Sequence, residues 1–425
     1  MIKGLCNNQE NQITPKGPMN AINDQGFTLI ELIVVMFILL VALALSTNSF
    51  ITVLKNSKQQ SKIAEAQMEK IIGLELLKWD IEHAGLGLPW YVNDINNNGD
   101  YSDDWGSING YTEAAANQTS CSAANNLDSY NDATSNAPRA ILSGDNVCDN
   151  GSDYLVIKST VVRDNQEAQK WTYIWNDGAN NNLNLWGTNE DIANNTFVIA
   201  IKPKQSKNVE RVLMTYKSGT NNIFYSSLNQ ATGNYTLQPN ESFIIFGVGV
   251  AGDGALRMPF NRADYYISTG NVPSRCASGT GVLEKAVLSH TNGQQTAGGT
   301  SPLLDCVADF QVVFGIDQTA TPDGTIDCYS NDLANDLPTF NAENVRNRVK
   351  EVRVYILAHE GQYDRDFTYG NNTVRVGDSS GLTPCVNGAT LGRDFNFATS
   401  GITNWQNYRW KVYTLVVKPE NLTGE

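Results

Sequence analysis

Histidine is almost missing from this chain: His83, His290 and His359 are the only three in 425 residues, and they are scattered. No H-E-x-x-H, G-x-S-x-G or Walker loop is present either, so the common signatures of zinc, serine and nucleotide chemistry are lacking. No two cysteines form a CxxC pair, which argues against a zinc site. A basic excess is lacking too: 30 Lys and Arg stand against 44 Asp and Glu, and the net charge of −14 opposes attraction to nucleic acid. Lys and Glu thin out after residue 90, where Gly, Asn, Asp, Ser and Thr are abundant, a composition of strands joined by turn-rich loops. There is no internal repeat, and nothing singles out a catalytic residue, so the expectation is a protein that is not an enzyme.

What is present is enough apolar material, 41% of residues, for a sizeable core. Seven cysteines occur, and Cys6 precedes the cleavage point argued below, leaving Cys121, Cys148, Cys276, Cys306, Cys328 and Cys385. An even number of widely spaced cysteines favours disulfides in an oxidising compartment over free buried thiols. Pairing them by proximity in sequence joins Cys121 to Cys148, Cys276 to Cys306 and Cys328 to Cys385, although spacing alone leaves the other connectivities open.

From Phe27 to Leu45 the chain runs nineteen residues with one charge, Glu31. As a helix this stretch is about 28 Å long, close to the hydrocarbon thickness of a bilayer. A carboxylate there costs about 2.5–3.5 kcal/mol on insertion scales, so Glu31 calls for a partner. Cleavage between Gly26 and Phe27 would supply one, a new α-amino group close to Glu31, and a helix N-terminus favours a carboxylate in its first turns. An ordinary secretory signal would be cut after the apolar run, whereas here the run is kept.

The stretch Gly26-Phe27-Thr28-Leu29-Ile30-Glu31 resembles the prepilin peptidase motif of type IV pilins and type II secretion pseudopilins. The resemblance implies cleavage after Gly26, N-methylation of Phe27, and pairing of Glu31 with the N-terminal amine of a neighbouring subunit during assembly. The alternative is a plain transmembrane anchor. One departure is a long leader with only Lys3 and Lys16 as positive charges; translation from Met19 would leave a short one with neither.

Beyond Leu45 the helical pattern continues without proline to about Ala84 and becomes amphipathic. Met68, Ile71, Ile72, Leu74, Leu77 and Ile81 recur at helical spacing against a wet face of Lys and Glu. Gly85-Leu86-Gly87-Leu88-Pro89 stops it. Residues 91–152 read as a long surface loop region, and from Tyr154 onward short β-branched and aromatic runs predict a predominantly antiparallel β head. The division is thus a cleaved leader (1–26), a long helix (27–84, with 27–45 in the membrane), a loop-rich insertion (85–152) and a β-rich head (153–425).

The head resembles PilW-type minor pilins at scattered landmarks: Asp80 with Ala84-Gly85, Gly151-Ser152-Asp153, Ala263-Asp264-Tyr265-Tyr266, Cys276 before Gly279 and Gly281, Leu304 to Phe310, and Tyr408-Arg409. The expected fold is α+β and type IV pilin-like, a long N-terminal helix packed on an antiparallel β head.

Asp94, Asn96, Asn98, Gly99, Asp100 and Ser102 match the opening of a calcium loop, in which alternating oxygen-bearing side chains converge on a hard cation. The closing position holds Trp105, with Asp103 and Asp104 as substitutes, and a metal-free Asn-rich turn is the competing reading. Asp317, Asp323 and Asp327 form a weaker acidic cluster, read first as a solvated hairpin tip. Gly247, Gly249 and Gly252 formally spell G-x-G-x-x-G, but no helix pattern follows to hold a pyrophosphate. Trp171 and Trp175, four apart on one strand face, are expected in the core, with a sugar or protein contact surface as the alternative.

The resemblance implies a minor pilin assembled in a tip or priming complex, held in the inner membrane with its head in the periplasm, then extracellular. Its partners would be other minor pilins, the major pilin, prepilin peptidase, the inner-membrane assembly platform and a tip adhesin, with no nucleic acid. No cofactor is required, and structural Ca2+ is the one candidate. The alternatives are a J-type pseudopilin of type II secretion and, from another class, a membrane-anchored periplasmic enzyme or carbohydrate-binding protein.

Overall fold

The computed structural model describes residues 28–118, 121, 126–148, 150–187, 189–249 and 253–422. One α-helix runs from Leu29 to Glu82. Its stretch Leu29–Ile51 is long and apolar enough to cross a membrane, and its described side chains are exposed. The apolar stretch outruns the expected Leu45 because Ser46, Thr47, Asn48 and Ser49 carry no charge and leave the helix unbroken.

The chain divides into two compact units, 1–61 and 62–425. Within the second, the last helical turns bury Leu77, Ile81 and Ala84 in the main core. Gly73 lies against the strand carrying Leu303 so closely that a Cβ there would sit 1.8 Å from the Leu303 carbonyl oxygen. Gly85 leaves the helix at φ +83°, a conformation open to glycine, and donates its N–H to the Lys158 carbonyl.

The rest is built on two large sheets. The eight-stranded sheet runs in the order Arg409–Val417, Val349–Glu360, Gln295–Ile316, Gly281–Leu288, Asn261–Ser268, Tyr154–Ser159 and Ile141–Gly144, with Cys328–Ser330 paired to the long strand. Every pairing in it is antiparallel. The seven-stranded sheet runs Tyr91–Val92, Val209–Leu213, Phe197–Ser206, Ser242–Gly249, Trp171–Asn176 and Asn181–Leu183, with Tyr225–Ser227 alongside. Its one parallel pair is Tyr91–Val92 on Val209–Leu213. The architecture is the expected one, a long helix followed by a mostly antiparallel β head.

The main core draws on the helix end and both sheets, with Leu77, Ile157, Ile199, Leu213, Phe260, Phe310 and Ile356 all buried. A second cluster gathers the C-terminal aromatics Phe395, Phe397, Trp405, Tyr408 and Trp410.

Two expectations need correcting. Residues 91–152 are no surface loop: Trp105, Tyr111, Leu127 and Tyr130 are buried in the main core, and Ile141–Gly144 joins the eight-stranded sheet. Turn-forming residues between those anchors masked their burial, because each anchor stands alone and has no periodicity. Trp171 is also not in the core, being 49% exposed and packed edge-on to Trp186. The inward positions of its strand are taken by Thr172 and Ile174, so strand alternation turns the aromatic outward.

Candidate assembly and metal sites

Gly26 and Phe27 lie outside the described residues. Immediately after them Thr28 caps the helix. Its hydroxyl accepts the Glu31 N–H at 3.3 Å, while the Glu31 carboxylate accepts the Thr28 N–H at 2.9 Å and the Thr28 hydroxyl at 3.0 Å. This is a reciprocal capping box. Glu31 is thereby held at the helix entrance, exposed, with its carboxylate accepting the N–H and hydroxyl of Thr28, the first described residue after the expected cleavage point. Its Thr28 partner sits within the quoted motif and went unread as a cap.

The landmarks on which the head's resemblance rests form a wired interior. Tyr265 donates its hydroxyl to Asp80 at 2.7 Å, and Lys285 pairs with the same oxygen at 2.9 Å, fastening the helix to two neighbouring strands. Burial pushes the Asp80 carboxyl up to about 6, against the pull of Lys285 and Tyr265. Asp264 takes a two-pronged bond from Arg262 and the Tyr154 hydroxyl. Asp153 accepts the N–H groups of Asn146 and Val312, and Asp309 is paired with Arg393. Gly151 is a glycine for cause, since a Cβ there would lie 2.0 Å from the Arg393 guanidinium.

Sequence inspection missed a fully buried network beside these. Lys158 pairs with Glu113 at 2.6 Å and Asp132 at 2.5 Å, and Arg139 also reaches Asp132. These residues are far apart in sequence and bear no motif. The one available signal is a charged residue, Lys158, directly after the apolar run Tyr154–Ile157 and within the same strand.

Cys121 is bonded to Cys148, Cys276 to Cys306, and Cys328 to Cys385. Cys306 is the extra residue of a β-bulge, with φ +61°, where Val307 pairs with Gly281 and Asp305 with Val282. Among the described residues, Cys276, Cys306 and His359 are the trio of candidate metal-ligand atoms within 4.8 Å of one another, but both sulfurs are tied in the disulfide. His359 accepts the Ala277 N–H and packs on Tyr408 and Trp410.

In the stretch that matches the opening of a calcium loop, sequence and structure agree on a tight turn. Asp94 accepts the N–H groups of Asn98 and Gly99, at 3.0 and 2.9 Å, and Gly99 takes φ +82°. Asn98 accepts the Asp100 N–H, and Ser102 donates its hydroxyl and N–H to Asp100, holding that carboxyl below its ordinary range. Asn96 is exposed. Asp103 is engaged by the Asn98 side chain at 2.8 Å, whereas Asp104 is buried beneath the loop.

The second acidic cluster is organised by hydrogen bonds. The Asp317 carboxylate receives the Thr319 hydroxyl and the N–H groups of Thr319, Asp323 and Gly324. Burial opposes its charge, but these donors win and hold the carboxyl below its usual value. Asp327 accepts the Gln318 N–H and Asp323 that of Thr325. Both are exposed and face the turn they stabilise. Gly247 and Gly249 lie within the strand Ser242–Gly249, and Gly252 is outside the described residues.

Comparison with known families finds a prokaryotic N-terminal methylation motif over residues 22–47 and a Type IV Pilus-assembly protein W (PilW) segment over residues 264–421. A solved type IV-like pilin from Thermus thermophilus aligns at 14% identity over 41% of this chain and 75% of that chain, with a TM-score of 0.22, too low to bear on the fold. No curated protein matches the chain.

Proposed function

We propose that this PilW-like minor pilin acts in a tip or priming complex of a type IV pilus, entering it after prepilin peptidase cuts between Gly26 and Phe27. The observation that carries the reading is the single acid Glu31 at the capped entrance of an apolar helix, within the stretch matched by the methylation motif. A carboxylate in hydrocarbon is costly, and the amine released by cleavage offsets that cost where subunits pack helix to helix.

On this reading the chain waits in the inner membrane with its head in the periplasm, and its work is assembly, not turnover. The partners would be other minor pilins, the major pilin, the assembly platform and a tip adhesin. A J-type pseudopilin of type II secretion would share the N-terminus; the PilW match over residues 264–421 favours the pilus.

The test is to express the chain with and without prepilin peptidase and to determine its N-terminus by mass spectrometry. A methylated Phe27 terminus only in the peptidase-positive strain is the expected result, and an intact Gly26-Phe27 bond there would defeat the proposal. Loss of surface pili on deletion of the gene, with protein secretion unchanged, separates the pilus from the secretion system.

A further inference from the structure

Residues 79–138 contain no lysine or arginine, yet Asp94, Asp100, Asp103 and Asp104 fall within one short loop there. An acidic loop on its own signifies little. What distinguishes this one is Asp104, which is 0% exposed. It opens a turn of 3-10 helix, Asp104–Ser107, and is carried inward by its neighbour Trp105, which is buried in the main core against Tyr111 at a ring distance of 5.5 Å.

One oxygen of that carboxylate, Oδ2, accepts the N–H groups of Ile95 at 2.6 Å and Asn96 at 3.3 Å. The group therefore lies against the first turn of the loop, between the Asp94 and Asn96 positions. The other oxygen, Oδ1, is buried and has no hydrogen-bond partner. A buried carboxylate oxygen without a partner is expensive unless a water or a cation meets it, and this one lies against a loop rich in further oxygen donors.

We propose that Asp94–Asp104 is a calcium site in which Asp104, not a residue at the usual twelfth position, supplies the closing carboxylate. Asp94, Asn96 and Asn98 present alternating side-chain oxygens, Gly99 makes the sharp turn at the sixth position, and Asp104 approaches from below. Trp105 stands where the bidentate acid of the common loop would be, and its burial is the reason the acid one residue earlier points inward. Asp103 is excluded from the role by its exposure and its bond to the Asn98 side chain.

All the donors are hard oxygens with no imidazole or thiolate among them, which selects calcium over zinc or copper. Among the described residues no trio of the loop's carboxylate oxygens lies within 4.8 Å of one another, so binding requires the loop to tighten around the ion. Magnesium, which demands a smaller octahedral shell and dehydrates reluctantly, fits such a loop less well.

The experiment uses the full chain in detergent micelles, stripped with EDTA. Calcium at about 5 mM, above the ~10⁻³ M upper end for extracellular modules, should raise Tm by ~2 °C or more, and magnesium by much less. Terbium should give luminescence sensitised by the adjacent Trp105 and displaced by calcium. Asp104→Asn should abolish both responses while leaving the metal-free Tm unchanged or higher, because it removes a buried charge, whereas Asp103→Asn should retain them. Absence of both responses in the parent protein overturns the proposal. So does an undiminished response in Asp104→Asn, or, should that variant fold poorly, in Asp94→Asn. N-terminal processing plays no part in this readout, so its outcome is independent of the pilus reading.

Discussion

Glu31 and His290 show how differently two isolated ionisable residues can act. Glu31 is exposed and makes its bonds within its own helix turn, so removing it leaves the head untouched. Glu31→Leu should therefore be cleaved normally yet be lost from pili, read by immunoblotting sheared filaments against the membrane fraction; equal incorporation would remove the ion-pair role. His290 is fully buried, its ring taking the Arg257 N–H and meeting the Asn261 side chain. Burial, helped by Arg163 and Arg257, pushes it down to about 3, from an ordinary value of 6.5. The unfolded chain thus binds a proton that the folded one refuses between those limits. Stability from this residue is fully present above 6.5 and is lost as pH falls, by roughly 1.4 kcal/mol per pH unit. Asp80, raised to about 6, works in the opposite sense, gaining stability as pH falls from 6 toward 3.8. Comparing His290→Asn with the parent cancels that term: the variant should lose less Tm between pH 7 and pH 5. Residue types were legible from sequence, but not their burial, and burial is what sets both behaviours.

At the scale of elements, the helix carries the most legible information. Its apolar run and glycine stop are read from the sequence, and the Thr28 cap, though unread there, depends equally on neighbours within one turn. Its packing is less local. Ile71 and Ile72 continue the apolar rhythm but are 60% and 71% exposed, while Leu77 and Ile81 are buried. Periodicity does not say which apolar positions meet the protein's own strands and which are left for another chain. Ile71→Glu with Ile72→Glu should leave head stability within about 0.5 kcal/mol but cut pilus incorporation. Unchanged incorporation would mean that this face has no partner. Gly73 faces the other way, and Gly73→Ala should cost about 1–3 kcal/mol by wedging a methyl against Leu303. Urea unfolding measures this, and no change in midpoint would refute that close approach.

For the whole molecule, the two-sheet head depends on links that sequence distance conceals. Lys158, inside an otherwise apolar strand, is tolerated because Glu113 and Asp132, from the stretch taken for a surface loop, surround it. Lys158→Met would remove the cation the two acids share, leaving Asp132 to Arg139 and Glu113 to the more distant Arg262, and should destabilise the head by about 3 kcal/mol. A loss under about 1 kcal/mol would indicate that Arg139 and Arg262 suffice to compensate the acids.

The sequence alone was sufficient for the long helix, its single acid, the β character of the head and the kinship with pilins, because these rest on composition and on patterns spanning a few residues. Tertiary structure alone decided which cysteines meet, how the strands divide into two sheets, and that Asp104 lies inward while Asp103 does not. Those outcomes follow from contacts between segments that are not neighbours in sequence, 57 residues apart for Cys328 and Cys385, and from where one large side chain, Trp105, finds room in the core.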